Sequence, residues 1–72
     1  MENLIEKLEA ILESKNLDLS EKFEESEGWD SLASISIIAM LDSDYGITVT
    51  DKQLTEFLNI EEFCKFVLIS KN

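Results

Sequence analysis

Few side chains in this sequence can do chemistry, and one hydroxyl stands out among them. The chain has no histidine, no arginine and a single cysteine, Cys64. One thiol cannot close an internal disulfide, and without histidine it forms neither a zinc cluster nor a Cys/His nucleophile pair. Catalysis within the chain would have to run on carboxylates or lysines. Cys64 lies between Phe63 and Phe66, with Lys65 as its basic neighbour, and reads as a buried, inert thiol. The hydroxyl that stands out by its position is Ser31, in the stretch "EGWDSLASISIIAML" that starts at Glu27. It is a small hydroxyl between Asp30 and Leu32, placed where a polar loop becomes an almost wholly apolar segment.

Two readings of Ser31 follow from helix physics. Asp and Ser are favoured where helices begin, so Asp30 can cap a helix and Ser31 can simply occupy its first turn. The first turn is also where free N–H groups and the macrodipole stabilise an anion, so a phosphate ester on this hydroxyl would be held where helices hold phosphate.

The elements that must position Ser31 are helical. Leu4, Ile5, Leu8, Ile11 and Leu12 recur at helical spacing, with Glu2, Glu6, Lys7, Glu9 and Glu13 on the other face, which predicts an amphipathic first helix over about residues 2–14. From Asn16 to Asp30 the periodicity fails. Leu17, Leu19, Phe23 and Trp29 are scattered through this long connection and are expected to be its buried anchors. The second helix is predicted over about residues 31–45, with Gly46 as its left-handed terminal residue. "ITVT" has strand composition but no partner strand, so it reads as an extended connection.

Thr50 with Gln53 fits a capping box, stapled by Val49 and Leu54, and opens a short third helix over about residues 51–57. Asn59 with Glu62 repeats the arrangement, flanked by Leu58 and Phe63, and opens a fourth helix that turns Ile60, Phe63, Phe66 and Val67 inward. The fold class is all-α, a four-helix bundle with a long first loop and a short third helix.

On the second helix, Ser34, Ile37, Ile38, Leu41 and Tyr45 form one stripe, and Leu32, Ile35 and Ala39 form an adjacent one. Together they cover an arc of roughly 220°, where a core-facing helix needs little over 100°. Part of that arc should stay accessible, as a docking surface beside the serine.

At 72 residues the chain is expected to be a single domain with a modest core and marginal stability. Sixteen acidic residues stand against six lysines, for a net charge of −10, which disfavours nucleic acid and anionic membrane surfaces and favours basic protein partners. The N-terminal stretch has no signal-peptide pattern and no apolar run approaches the roughly 20 residues of a membrane span, so a cytoplasmic protein is expected. A monomer is expected as well.

"GWDSLASISIIAMLDSDYGI" resembles the acyl carrier and peptidyl carrier protein family, whose signature is Asp-Ser-Leu at the start of the second helix followed by an apolar helix ending in an aromatic residue, Gly and Ile. The resemblance covers the whole chain in length, charge and helix order, and implies a four-helix bundle of acyl-carrier type. It implies that a phosphopantetheinyl transferase (holo-acyl-carrier synthase) attaches 4′-phosphopantetheine from coenzyme A to Ser31. The arm then carries an acyl or aminoacyl group as a thioester, loaded by a ligase and passed to acyltransferases, so that the chain itself is no enzyme. Asp30 would orient the site for the transferase and Leu32 would anchor docking.

Fatty-acid-synthesis members usually carry acidic residues just after Asp-Ser-Leu, where this chain has Ala33, Ser34 and Ser36. Together with the preceding Gly-Trp, this resembles small stand-alone carriers of specialised pathways. Partner choice is then expected to rest on Leu32, Ile35 and Ala39, with Asp42, Asp44, Glu56, Glu24, Glu25 and Glu27 steering encounter. A long acyl cargo is expected to shelter between the second helix and the third and fourth, lined by Ile37, Ile38, Leu41, Leu54, Phe57 and Phe63.

Two rival readings are weighed against this one. In "LDSDYGITVTDKQ", taking Gly46 as the sixth position of an EF-hand loop puts Leu41, Ser43, Tyr45 and Lys52 at ligand positions, which does not supply the ligands; no metal site is expected. The other rival is an acidic helical interaction module that never receives the arm and uses Ser31 only as a helix start.

Overall fold

The computed structural model describes residues 2–15 and 17–70, without the side chain of Glu2; Asn16, where the long loop is expected to begin, lies outside the described residues. Helix α1 (Glu2–Leu12) buries Leu4, Leu8 and Leu12 and half-buries Ile5 and Ile11. It ends two residues earlier than its periodicity suggests. Glu13 takes a left-handed backbone, φ 55°, and the Ser14 N–H donates to the Glu9 carbonyl at 3.0 Å, closing the helix with a residue other than glycine in the left-handed position.

The long connection contains one 3₁₀ turn, Phe23–Glu25. Phe23 is buried as expected, whereas Leu17, Leu19 and Trp29 are only half-buried. Those three lie over the core from outside, because a loop backbone must keep to the surface where water can satisfy its polar groups. The connection has a second task. Its Glu21 and Leu19 carbonyls accept from the N–H groups of Ile60 and Glu61, both at 2.9 Å, so two donors that the start of α4 leaves unpaired are satisfied by the loop.

Helix α2 (Ser31–Met40) is α-helical for ten residues and continues as a π-helical turn, Leu41–Tyr45. The difference from an α-helix running to Tyr45 comes from its closure. The Leu41 carbonyl accepts from the N–H groups of Gly46, at φ 67°, and of Ile47. This wider turn leaves both Leu41 and Ile47 in the core. Residues 47–50 form no strand and no regular helix, with Thr50 extended where it caps α3.

Helix α3 (Asp51–Glu56) has the full Thr50/Gln53 capping box, at 3.1 and 2.8 Å, and stops one residue before Phe57. Helix α4 (Ile60–Ser70) starts with Asn59 Oδ1 accepting from the Glu62 N–H at 2.8 Å. Leu4, Leu8, Phe23, Ile37, Leu41, Leu54, Ile60, Phe63, Cys64 and Val67 form the centre of one core. Four helices and no strand among the described residues make the chain an all-α bundle.

Charge is left largely uncompensated. Among the described residues the ion pairs are Lys7–Asp44 at 3.0 Å and the long Lys65–Glu62 contact at 3.9 Å. Repulsion between the remaining carboxylates is screened as the Debye length shrinks from about 30 Å at 0.01 M salt to about 3 Å at 1 M. The melting temperature of the unmodified protein is therefore expected to rise by several degrees over that range. A flat or falling dependence in a calorimetric salt series would show the carboxylates to be paired already.

Candidate functional site

The approach to Ser31 is built by Gly28, Trp29 and Asp30. Gly28 is at φ 85°, and a Cβ there would lie 2.0 Å from the Leu12 carbonyl oxygen, so the loop closes against the end of α1 through a residue with no side chain. Trp29 stacks on Phe23, ring centroids 5.3 Å apart, and Phe23 meets Phe63 edge-on at 4.8 Å. Phe63 touches Phe57 at 5.4 Å and Phe57 touches Phe66 at 5.3 Å. A continuous run of five rings thus ties the residues before Ser31 to α4.

Asp30 is the N-cap of α2, with extended backbone and a carboxylate oxygen that accepts from the Ala33 N–H at 2.8 Å. Ser31 is the first helical residue, and its side chain is exposed. The N–H groups of Ser31 and Leu32 have no intrahelical acceptor by helix geometry, which adds local positive potential at the hydroxyl. The helix-start reading of Ser31 therefore holds, and the geometry leaves room for the phosphate-ester reading. Asp30 caps the helix, and Ser31 is left exposed on its first turn.

The two stripes of α2 separate as the periodicity suggests. Ala33, Ser34, Ile37 and Leu41 are buried, while Leu32 is 73% exposed, Ile35 is 62% exposed, and Ser36 and Ala39 face solvent. Asp42 and Glu56 are exposed. Asp44 is not a free steering charge, because it holds Lys7, whose ammonium also lies 4.9 Å from the Tyr45 ring centre. The hydrogen bond that the Lys7 ammonium donates to the Asp44 carboxylate is the main reason the Lys7 pKa is raised.

Two positioning features had a signal in the sequence that composition alone did not reveal. Gly28 stands before Trp29 because of the contact with α1. Ser34, a hydroxyl in an otherwise inward apolar stripe, donates to an Asp51 carboxylate oxygen on α3. Of the residues expected to shelter a cargo, Ile37, Leu41, Leu54 and Phe63 are fully buried in the core, and Ile38 and Phe57 are half-buried. A groove of about 230 Å³ lies between residues 48–49, α3 and α4, and of those six residues only Phe57 lines it, with Thr48, Val49, Gln53, Glu56 and Phe66.

Cys64 is buried, and desolvation pushes its thiol up to about 11. It stays protonated through the neutral range and is not a nucleophile there. No group of His, Cys, Asp and Glu that could hold a metal is present among the described residues. No helix among them is long and apolar enough to cross a membrane.

A phosphodiester fits this arrangement. Ser31 is exposed and stands on the first turn of a ten-residue helix, and its neighbour Leu32 is exposed as well. The comparison with known families agrees with the geometry. The profile of the phosphopantetheine attachment site family matches residues 2–67, nearly the full chain. No curated protein and no solved structure matches it. The chain belongs to the phosphopantetheine attachment site family and is a carrier protein whose cofactor is covalently bound 4′-phosphopantetheine.

Proposed function

We propose that Ser31 is the attachment point, and that residues 1–72 act as one cytoplasmic, monomeric carrier domain of a specialised biosynthetic pathway. The observation that carries the reading is the exposed hydroxyl at the first residue of α2, behind the Asp30 cap. In the arming step the Ser31 oxygen attacks the pantetheine-side phosphorus of coenzyme A's diphosphate. A serine–phosphate ester forms, the anhydride P–O bond breaks, adenosine 3′,5′-bisphosphate leaves, and the serine proton passes to a base on the transferase. Asp30 keeps the helix start in place, and the first-turn N–H groups stabilise the product anion. Once attached, the arm supplies a terminal thiol that holds an acyl or aminoacyl group as a thioester. The chain's own residues add positioning and recognition, and the bond-making belongs to the ligase and acyltransferases that act on it.

The test is intact mass after incubation with a phosphopantetheinyl transferase and coenzyme A. A single phosphopantetheine increment supports the reading, and an unchanged mass favours an unmodified interaction module.

Docking rests on Leu32, Ile35 and Ala39. Their exposure is the support: apolar side chains on the helix that carries the hydroxyl, with no acidic residue in its first turn. Asp42 and Glu56 steer the approach of a basic partner. Leu32→Ala and Ile35→Ala are each expected to weaken transfer from a cognate ligase by about tenfold, independent of salt, as for truncated hot-spot residues. Asp42→Asn should slow association mainly at low salt. A larger defect for Asp42→Asn than for the apolar pair at moderate salt would reverse the assignment.

A further inference from the structure

The contact between α2 and α3 lies beside the proposed attachment point. Ser34 is one turn past Ser31, and helical side chains lean toward the N-terminus of their helix, so the Ser34 side chain covers the turn that Ser31 begins. Ser34 is 4% exposed, and its hydroxyl donates to the carboxylate of Asp51, the first residue of α3. Ile37 on α2, Leu41 just past its end and Leu54 on α3 are all fully buried. An alkyl chain entering between the two helices from residue 31 must therefore break a hydrogen bond to a charged acceptor and leave a buried hydroxyl unpaired, and then displace close-packed side chains.

Resting on the reading of Ser31 as the attachment point, we propose that Ser34 and Asp51 form a polar gate that excludes apolar chains from the interior and makes this a carrier of short or polar acyl groups presented in solvent. The Ser34 hydroxyl is the specificity determinant and the Asp51 carboxylate holds it closed. The two residues touch neither the phosphodiester nor the thioester. Their effect is on where the cargo can go.

The test needs no pantetheinylation, so its outcome is separate from that of the attachment reading. A Ser31→Cys variant is alkylated with N-ethyl-, N-hexyl- and N-dodecyl-iodoacetamide. The new carbon–sulfur bond expels iodide and the thiol proton goes to buffer, while Cys64 is buried and protonated. Mass confirms one adduct, and the melting temperature is measured along the series. With the gate intact, the adducts should melt within about 1 °C of one another. In the Ser34→Ala background, and independently in Asp51→Ala, the temperature should rise with chain length, by about 5 °C from ethyl to dodecyl, the order of shift that a small domain shows for one modest buried contact. A rise along the series with Ser34 and Asp51 both present overturns the proposal. So does a flat series in both opened backgrounds, which would mean that packing alone closes the interior.

Discussion

Ser31→Ala is expected to abolish phosphopantetheinylation completely while leaving the fold in place. The hydroxyl is exposed and is not the cap: Asp30 accepts the Ala33 N–H, and the Ser34 N–H bonds the Asp30 carbonyl. Removing it deletes no buried partner, so stability should stay within about 0.5 kcal/mol of the parent. Alanine is also the best helix former. The check is paired: intact mass after transferase treatment, and the melting temperature of the same sample. An Ala variant that still gains the increment would move the attachment to another hydroxyl. Asp30→Ala makes an informative control, since loss of a helix cap costs about 1 kcal/mol and would lower stability with Ser31 still present.

Gly28→Ala is expected to be the most damaging single change outside the core. The residue is exposed, so accessibility alone would class it as tolerant. Its added Cβ would meet the Leu12 carbonyl oxygen at 2.0 Å, a backbone atom that cannot rotate away, and the φ of 85° is strained for any L side chain. Both effects act together. A cost of about 2–4 kcal/mol follows, or a fall in melting temperature of roughly 10 °C or more for a domain this small. Because Gly28 leads through Trp29 and Asp30 to Ser31, the rate of arming should fall as well. Ser36→Ala, on the exposed side of α2, is the neutral comparison. Equal melting temperatures for the two variants would mean that the loop finds another path past α1.

What was legible beforehand was mostly local. The amphipathic spacing of α1, the Thr50/Gln53 box and the left-handed Gly46 depend on residues within a turn or two of one another, and the structure has all three. The Asp30 cap and the first-turn position of Ser31 were legible for the same reason, since they are sequence neighbours, whereas the reading of Ser31 as an attachment point came from the family resemblance of the surrounding stretch. Features that join distant segments were not. Nothing within a few residues of Glu13 announces its left-handed backbone. The half-burial of Leu17, Leu19 and Trp29 depends on how the loop lies across α4, through carbonyl bonds made about 40 residues away to the N–H groups of Ile60 and Glu61. The π turn at Leu41–Tyr45 answers to where Ile47 must land. Ser34 appeared in the inward stripe, but the acceptor that explains a hydroxyl there, Asp51, lies on another helix.

The stack of Trp29 on Phe23 has an optical consequence. The chain has a single tryptophan, it is half-buried, and it lies two residues before Ser31. Indole emission depends on the polarity and quenching groups around the ring, and here the ring rests on a side chain that also touches α4. Attachment of a charged arm beside it, or a partner closing over Leu32, changes that environment without any dye or engineered label. The protein therefore contains its own fluorophore beside the proposed attachment point, through which arming at Ser31 and docking over Leu32, if they occur as proposed, are expected to be followed in real time on the unmodified sequence.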